Sequence, residues 1–136
     1  MPRLDSEDYE GLANFRYLLR KFLRFSKDFL TANGHLSPEQ YEALLAIKAF
    51  NSFGGLNISQ LSERLQVRHH SAANIVDRLG ERKLVTREAS GTDRRRRHVQ
   101  LTAKGEKLIE ELAAVHRKEI LIRSAELIKA LERLRK

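Results

Sequence analysis

Two predicted helices separated by a turn of only three residues limit the possible folds of this chain more than any other feature. Asn57 can cap the first helix, and Gln60, three residues later, can complete a capping box with it. Residues 66–68 then lead into a second helix, predicted from about His69 to Arg82. A short helix, a tight turn and a second helix together predict a helix-turn-helix motif.

The second of these helices is amphipathic. Its apolar residues recur at i, i+3, i+4 and i+7, which predicts an inward face. That face consists of Ala72, Ile75, Val76 and Leu79. The opposite face is polar, most strongly at the start of the helix, and we expect it to point into solvent. Its candidate binding residues are His69, His70, Ser71, Asn74 and Arg78.

A predicted β-hairpin follows this helix directly. Leu84–Glu88 has strand character, Ala89–Asp93 is rich in turn residues, and Arg97–Leu101 returns as a second strand. A hairpin in this position is a wing. Its candidate binding residues are Asp93, Arg94, Arg95 and Arg96. Because side chains alternate along a strand, neighbouring arginines are expected to face opposite ways, and Asp93, which repels phosphate, is expected to order the tip.

The chemistry of both elements fits double-stranded DNA. In a helix-turn-helix, the second helix enters the major groove with its N-terminal side chains on the base edges. Asn74 can bind adenine through two hydrogen bonds, Ser71 can donate or accept one, and the two histidines can donate to guanine or to phosphate. Arg78, one turn beyond Asn74, is better placed for a phosphate. Wing arginines can reach the neighbouring minor groove, whose negative potential attracts them.

Charge placement supports this interpretation. The chain of 136 residues has a formal net charge of +8 and a pI of about 10.1, which favours a polyanionic partner such as nucleic acid. Eleven basic and five acidic residues fall between Glu63 and Lys104, the segment expected to face DNA. Hydrophobic residues make up 41% of the chain and charged residues 32%, which predicts a globular protein with room for one core.

Several motifs are missing from the sequence. There is no cysteine, which excludes disulfides, zinc–thiolate sites and a redox-sensing thiol. No secretory signal is visible, and no apolar run approaches the ~20 residues needed to span a bilayer. We therefore expect a cytoplasmic protein without a membrane partner. No cofactor motif is visible either, so none is expected.

Further helices flank the central motif. An apolar stripe at helical spacing predicts a helix from Ser6 to about Ala32. The stripe consists of Leu12, Phe15, Leu19, Phe22 and Phe29. It is either an intramolecular core face or a surface buried against a partner subunit.

Capping residues predict where the remaining helices begin. Ser37, Pro38 and Gln40 predict the start of a second helix. Its predicted apolar face consists of Tyr41, Leu44, Leu45 and Ile47. Thr102 can cap a last long helix, and Ser124 predicts the start of one further helix. The predicted fold class is therefore mostly α with a small β-hairpin wing.

The chain resembles the MarR family of winged-helix transcription regulators. The resemblance is carried by the order of the elements and by three stretches, LNISQLSERLQV, SAANIVDRLGERKLVTRE and DRRRRHVQLTAKGEKLIEEL. It implies a winged helix-turn-helix lobe at residues 37–102, flanked by N- and C-terminal dimerisation helices at 1–36 and 103–136. It also implies a homodimer that binds a pseudo-palindromic operator, usually as a repressor, and that releases DNA when a small aromatic or phenolic effector binds.

The sequence departs from the family pattern at four places. The family's wing often reads Asp-x-Arg-Asp, where this chain has Ser90–Asp93 and keeps only the last aspartate. Arg68 stands where the family favours a serine-like cap for the recognition helix, and Lys83 where a glycine commonly closes it. Gly80, inside that helix, is expected to cost about 1 kcal/mol relative to alanine.

Other function classes are less well supported by the sequence. An enzyme is not expected, because no nucleophile elbow, phosphate loop or paired His-Glu motif is present. A metal-responsive regulator with histidine and carboxylate ligands is an alternative, although His69 and His70 diverge by about 100° on a helix and cannot easily share one ion. A winged helix used for protein–protein contact is another alternative, and it would show an apolar rather than a basic wing.

Overall fold

Five helices and one small antiparallel sheet make up the described structure, a computed structural model that describes residues 3–51, 54–89 and 97–135. The elements in chain order are α1 (Ser6–Asn33), α2 (Pro38–Phe50), α3 (Ile58–Leu65), α4 (His69–Glu81), β1 (Val85–Ala89), β2 (Arg97–Leu101) and α5 (Ala103–Leu134). The predicted fold class, mostly α with a small β-hairpin wing, is confirmed. No helix in the described ranges is both long enough and apolar enough to cross a membrane.

The chain divides into two compact units. The central unit runs from Leu30 to Ala113, and the terminal unit combines the residues up to Phe29 with those from Ala114 onward. The central unit contains α2, α3, α4 and the hairpin. The terminal unit is built from most of α1 and the second part of α5.

Two complete capping boxes fix the starts of α2 and α3. At α2, the Gln40 backbone N–H donates to Ser37 Oγ at 3.1 Å, and the Ser37 N–H donates to Gln40 Oε1 at 3.0 Å. At α3, Asn57 and Gln60 make the same reciprocal pair at 2.8 and 2.9 Å. Each box satisfies two backbone donors that would otherwise lack an intrahelical partner. Both predicted helix starts are confirmed.

The core of the central unit is made of aliphatic side chains from every element it contains. Its most deeply buried members are Leu30, Leu44, Ile47, Leu61, Val76, Leu79, Leu84, Val99 and Ile109. The prediction for Leu45 is wrong, because its side chain is exposed. Successive side chains on a helix point about 100° apart, so Leu44 faces the core and Leu45 does not. Ala43 and Ala46 complete the buried face of α2 instead.

The hairpin pairs β1 with β2 from Val85 opposite Leu101 to Ala89 opposite Arg97. The Val99 N–H also donates to the Leu56 carbonyl at 2.9 Å, which ties the hairpin to the segment before α3. The first turn of α5 begins against Leu84, and a Cβ at Gly105 would overlap the Leu84 carbonyl. Only glycine allows this close approach of α5 to the backbone that leads into the wing.

The terminal unit is joined by one buried polar pair. Ser26 Oγ of α1 and His116 Nε2 of α5 are 2.8 Å apart, and both residues are buried. The rings of Phe22, Phe25 and Phe29 surround the imidazole edge-on, with centroids 5.6 to 6.2 Å away. The sequence analysis did not predict this pair, although His116 continues the helical spacing of buried α5 residues.

One expectation for the long helices is wrong. Ser124 does not begin a new helix, because α5 continues unbroken to Leu134. The Ser124 hydroxyl donates to the Leu121 carbonyl at 2.7 Å, which satisfies it inside the helix. For the α1 stripe, two alternatives were open, a core face of a single chain or a surface buried against a partner subunit. Leu12 and Leu19 are 46% and 43% exposed, so the first alternative does not hold at these two positions.

Candidate nucleic-acid interface

The tight turn between α3 and α4 depends on a left-handed residue. Gln66 has φ 55° and ψ 47°, and its backbone N–H bonds the Glu63 and Ser62 carbonyls that end α3. Its side chain also donates to the Glu63 carbonyl at 2.6 Å. These bonds reverse the chain within three residues. Ala72, Val76 and Leu79 of α4 are then buried, so the helix-turn-helix and its predicted inward face are confirmed.

The outward face of α4 carries the five predicted binding residues. His69, His70, Asn74 and Arg78 are exposed, and Ser71 is half-buried. Among the described residues, none of these five side chains has a hydrogen-bond or ion-pair partner. The face therefore presents amide, hydroxyl, imidazole and guanidinium groups that no other described side chain engages. These groups match the hydrogen-bonding pattern of base edges and phosphates.

An ion pair joins the hairpin to the same face of α4. Arg87 of β1 donates to Asp77 Oδ1 at 2.7 Å and lies 3.4 Å from the Ala73 carbonyl. Arg87 shares its side of the strand with the buried Val85, which directs it toward the helix. The sequence pattern indicates Asp77 and Arg87 only as part of the charge of this segment and does not predict that they form an ion pair. It neutralises an acidic group beside Asn74 and fixes the base of the hairpin to α4.

Two further basic side chains of the segment from Glu63 to Lys104 are engaged in contacts within the central unit. The Arg82 guanidinium donates to the Gly34 and His35 carbonyls, both at 3.0 Å, and Lys104 Nζ donates to the Arg82 carbonyl at 3.1 Å. These two cations hold the junction of α4 with the ends of α1 and α5. The charge count from Glu63 to Lys104 therefore overstates the charge available to a ligand.

The start of α4 has no side-chain cap. Arg68 occupies the N-cap position with φ −69° and ψ 155°, and its side chain makes no capping hydrogen bond. A Ser, Thr, Asp or Asn at such a position typically stabilises a protein by about 1 kcal/mol relative to a non-capping residue. At the other end, Lys83 has φ 61°, a conformation that favours the glycine common in the family. Both departures seen in the sequence are visible in the backbone.

The structure does not describe the predicted wing-tip residues. Asp93, Arg94, Arg95 and Arg96 lie outside the described residues. Within the described ranges, no group of three or more histidine or carboxylate side chains is arranged to hold a metal ion.

Comparison with known proteins identifies a related family. Residues 36–96 match the family model described as "MarR family". The chain is 27% identical over 111 residues to the HTH-type transcriptional regulator MhqR of Bacillus subtilis, covering 75% of this chain and 74% of MhqR. It is 32% identical over 88 residues to the HTH-type transcriptional repressor MdtR of the same organism, covering 65% of this chain but only 54% of MdtR.

A solved structure shares the fold. The crystal structure of a MepR–DNA complex from S. aureus superposes with a TM-score of 0.69 at 23% identity, covering 88% of this chain and 93% of that one. At this identity the likeness establishes the fold alone. Together with the family match, it confirms the resemblance that the sequence stretches indicated.

Proposed function

We propose that this chain, whose residues 36–96 belong to the MarR family, is a sequence-specific regulator of transcription that binds double-stranded DNA as a homodimer. The observation that carries the proposal is the outward face of α4. It holds five polar side chains without partners in the described structure, in a helix-turn-helix whose inward residues Ala72, Val76 and Leu79 are buried. Relatives named as a transcriptional regulator and a transcriptional repressor support it.

Within this proposal the residues of α4 have different roles. Asn74 reads an adenine through its amide, and His69, His70 and Ser71 contact base edges or phosphates near the leading end of the helix. Arg78, one turn beyond Asn74, binds a phosphate and contributes to affinity rather than to sequence preference. Arg94, Arg95 and Arg96 extend the contact toward the minor groove, with Asp93 ordering the tip.

An Asn74→Ala variant tests the reading role. We expect it to relax base preference at one position in each half-site, because the amide that pairs with one base is removed. Arg78→Ala is the matched comparison, and it should weaken binding to all sequences and lower the salt dependence of affinity. Selection of bound fragments from a random DNA library measures both effects. A uniform loss on all sequences from Asn74→Ala would show that this residue reads no base.

Exposed apolar side chains of the terminal unit support the proposed homodimer. Ten large apolar residues on its two helices are between 42% and 66% exposed: Tyr9, Leu12, Tyr17, Leu19, Leu23, Ile120, Leu121, Ile122, Ile128 and Leu131. Soluble monomers rarely expose so many neighbouring apolar groups. A second copy of the chain covers them, and the two α4 helices then read half-sites about one helical turn, or ~34 Å, apart.

We further propose that the protein represses transcription and releases its operator when a small aromatic or phenolic effector binds. The name of MdtR, a transcriptional repressor, supports the direction of regulation. The test is an operator-release assay in which candidate aromatic compounds are titrated into the protein–DNA complex. A compound that releases the operator by acting on the protein should bind the free protein more tightly than the protein–DNA complex, because coupling between two ligands is reciprocal.

A further inference from the structure

Arg68 stands at the leading end of the recognition helix, and local stability does not explain its presence there. It takes the extended backbone of an N-cap residue, its carbonyl accepts the first intrahelical bond from Ala72 at 3.0 Å, and its side chain caps nothing. A serine or aspartate would stabilise this helix start, whereas arginine leaves it uncapped. The side chain is exposed beside the surface of α4 that we propose binds DNA.

Three neighbouring arginines of the central unit have structural partners, whereas Arg68, like Arg78, has none among the described residues. The Arg64 guanidinium lies over the Phe50 ring at 4.1 Å, Arg82 binds two carbonyls, and Arg87 pairs with Asp77. Glu63, which borders the same shallow cavity as Arg68, accepts instead from Gln66 Nε2 at 3.1 Å. Within the described part of the chain, the Arg68 side chain has no hydrogen bond, ion pair or ring contact.

We propose that Arg68 is a specificity-determining residue that reads a guanine in each half-site. This inference rests on the proposed function, because it requires α4 to lie in the major groove. Residues at the leading end of a recognition helix reach base edges. The planar guanidinium fork matches the O6 and N7 acceptors of guanine, which is the most common specific contact to DNA. Arg78 lies ten residues further on, about 15 Å along the helix axis, and cannot serve this position.

An Arg68→Ser variant separates this role from a structural one. Serine supplies the missing cap, so we expect the melting temperature to rise by about 2–6 °C. The same change removes the guanine contact, so discrimination at one G·C position per half-site should fall about five- to a hundredfold. Arg68→Lys keeps the charge and can still donate to guanine, but it lacks the planar fork, so it should lose only part of this discrimination. Arg64→Gln is the control, because it removes an equal charge from a side chain packed on Phe50, and it should keep the wild-type preference.

Selection from a random DNA library, followed by titration of the chosen operator and its single-base variants, measures these outcomes. Wild-type preference in Arg68→Ser and Arg68→Lys would overturn the inference and leave the proposed function standing. An equal loss on all sequences would also overturn it, because a phosphate contact acts in that way. If the wild-type protein itself selected no sequence, the proposed function would fail, and this inference with it.

Discussion

At the scale of single residues, one ion pair controls the charge that α4 shows to a ligand. Asp77 lies on the same outward face as Asn74, where an unpaired carboxylate would repel phosphate. Arg87 reaches it from β1 at 2.7 Å. Asp77 is 60% and Arg87 33% exposed, so the pair adds less than about 1 kcal/mol to stability. We therefore interpret its main effect as electrostatic and positional.

Replacement of the pair tests this interpretation. Arg87→Met should weaken DNA binding on all sequences, because it leaves the Asp77 carboxylate unpaired beside the phosphates. Adding Asp77→Asn should restore most of that affinity, while unfolding free energies of all variants stay within about 1 kcal/mol of wild type. Fluorescence anisotropy and chemical denaturation measure the two quantities. A double variant as weak as Arg87→Met would show that Arg87 itself contacts DNA or sets the position of the wing.

At the scale of elements, two glycines next to the hairpin make opposite predictions. Gly80 lies inside α4, and an added Cβ there meets only the Val85 carbonyl at 3.9 Å, an ordinary contact. Gly80→Ala should therefore stabilise the protein by about 0.5–1 kcal/mol. Gly105 lies against the Leu84 carbonyl, so Gly105→Ala should destabilise it by about 1–3 kcal/mol through overpacking.

Thermal denaturation of the two alanine variants checks this pair of predictions. Each variant is the other's control, because both lose one glycine from a helix. If both melting temperatures shifted equally in the same direction, the close approach of α5 to Leu84 would not be what requires glycine at residue 105.

The starts of elements could be predicted from the sequence better than long-range contacts. The side chains of Ser37, Asn57 and Thr102 cap helices by accepting a hydrogen bond from a backbone N–H three residues further along the chain. Because both partners are close in sequence, a short stretch of sequence is enough to predict such a cap. The Asp77–Arg87 pair depends on how β1 packs on α4, which no local pattern encodes. Ser124 misled the prediction because a serine can also bond back inside a helix, as it does to Leu121.

The candidate site shows the same division. The outward face of α4 followed from helical spacing alone, since subtracting the apolar positions left the exposed ones. The Ser26–His116 pair was not predicted, because a polar residue interrupts the apolar pattern that marks a buried face, and its partner lies 90 residues away in the sequence. The wing tip stays a sequence-based prediction.

At the scale of the whole molecule, the proposed function requires two copies of the chain. Exposed apolar residues follow each other directly at Ile120, Leu121 and Ile122 of α5, a run that no described element of the terminal unit covers. Burial of such side chains is worth about 25 cal/mol per Å² of area removed from water. Association is therefore the expected state.

Charged residues placed in this surface should separate the subunits. Leu121→Glu combined with Ile128→Glu, one heptad apart on α5, should give a single chain of 15.7 kDa in sedimentation, whereas the wild type is expected to sediment at twice that mass. Operator affinity should fall sharply, because linked half-site binding is lost. Leu45→Glu, at an exposed leucine on α2, should change neither. A dimeric double variant with full affinity would place the subunit contact elsewhere.

The most direct test is the affinity of the purified protein for its selected operator relative to a scrambled duplex, titrated at several salt concentrations. A sequence-specific DNA-binding regulator should prefer its operator by about a thousandfold or more, with both affinities falling steeply as salt rises. The proposed homodimer also predicts that the protected site contains two half-sites about one helical turn apart. Equal affinity for both duplexes, or binding that does not respond to salt, would contradict the proposed function.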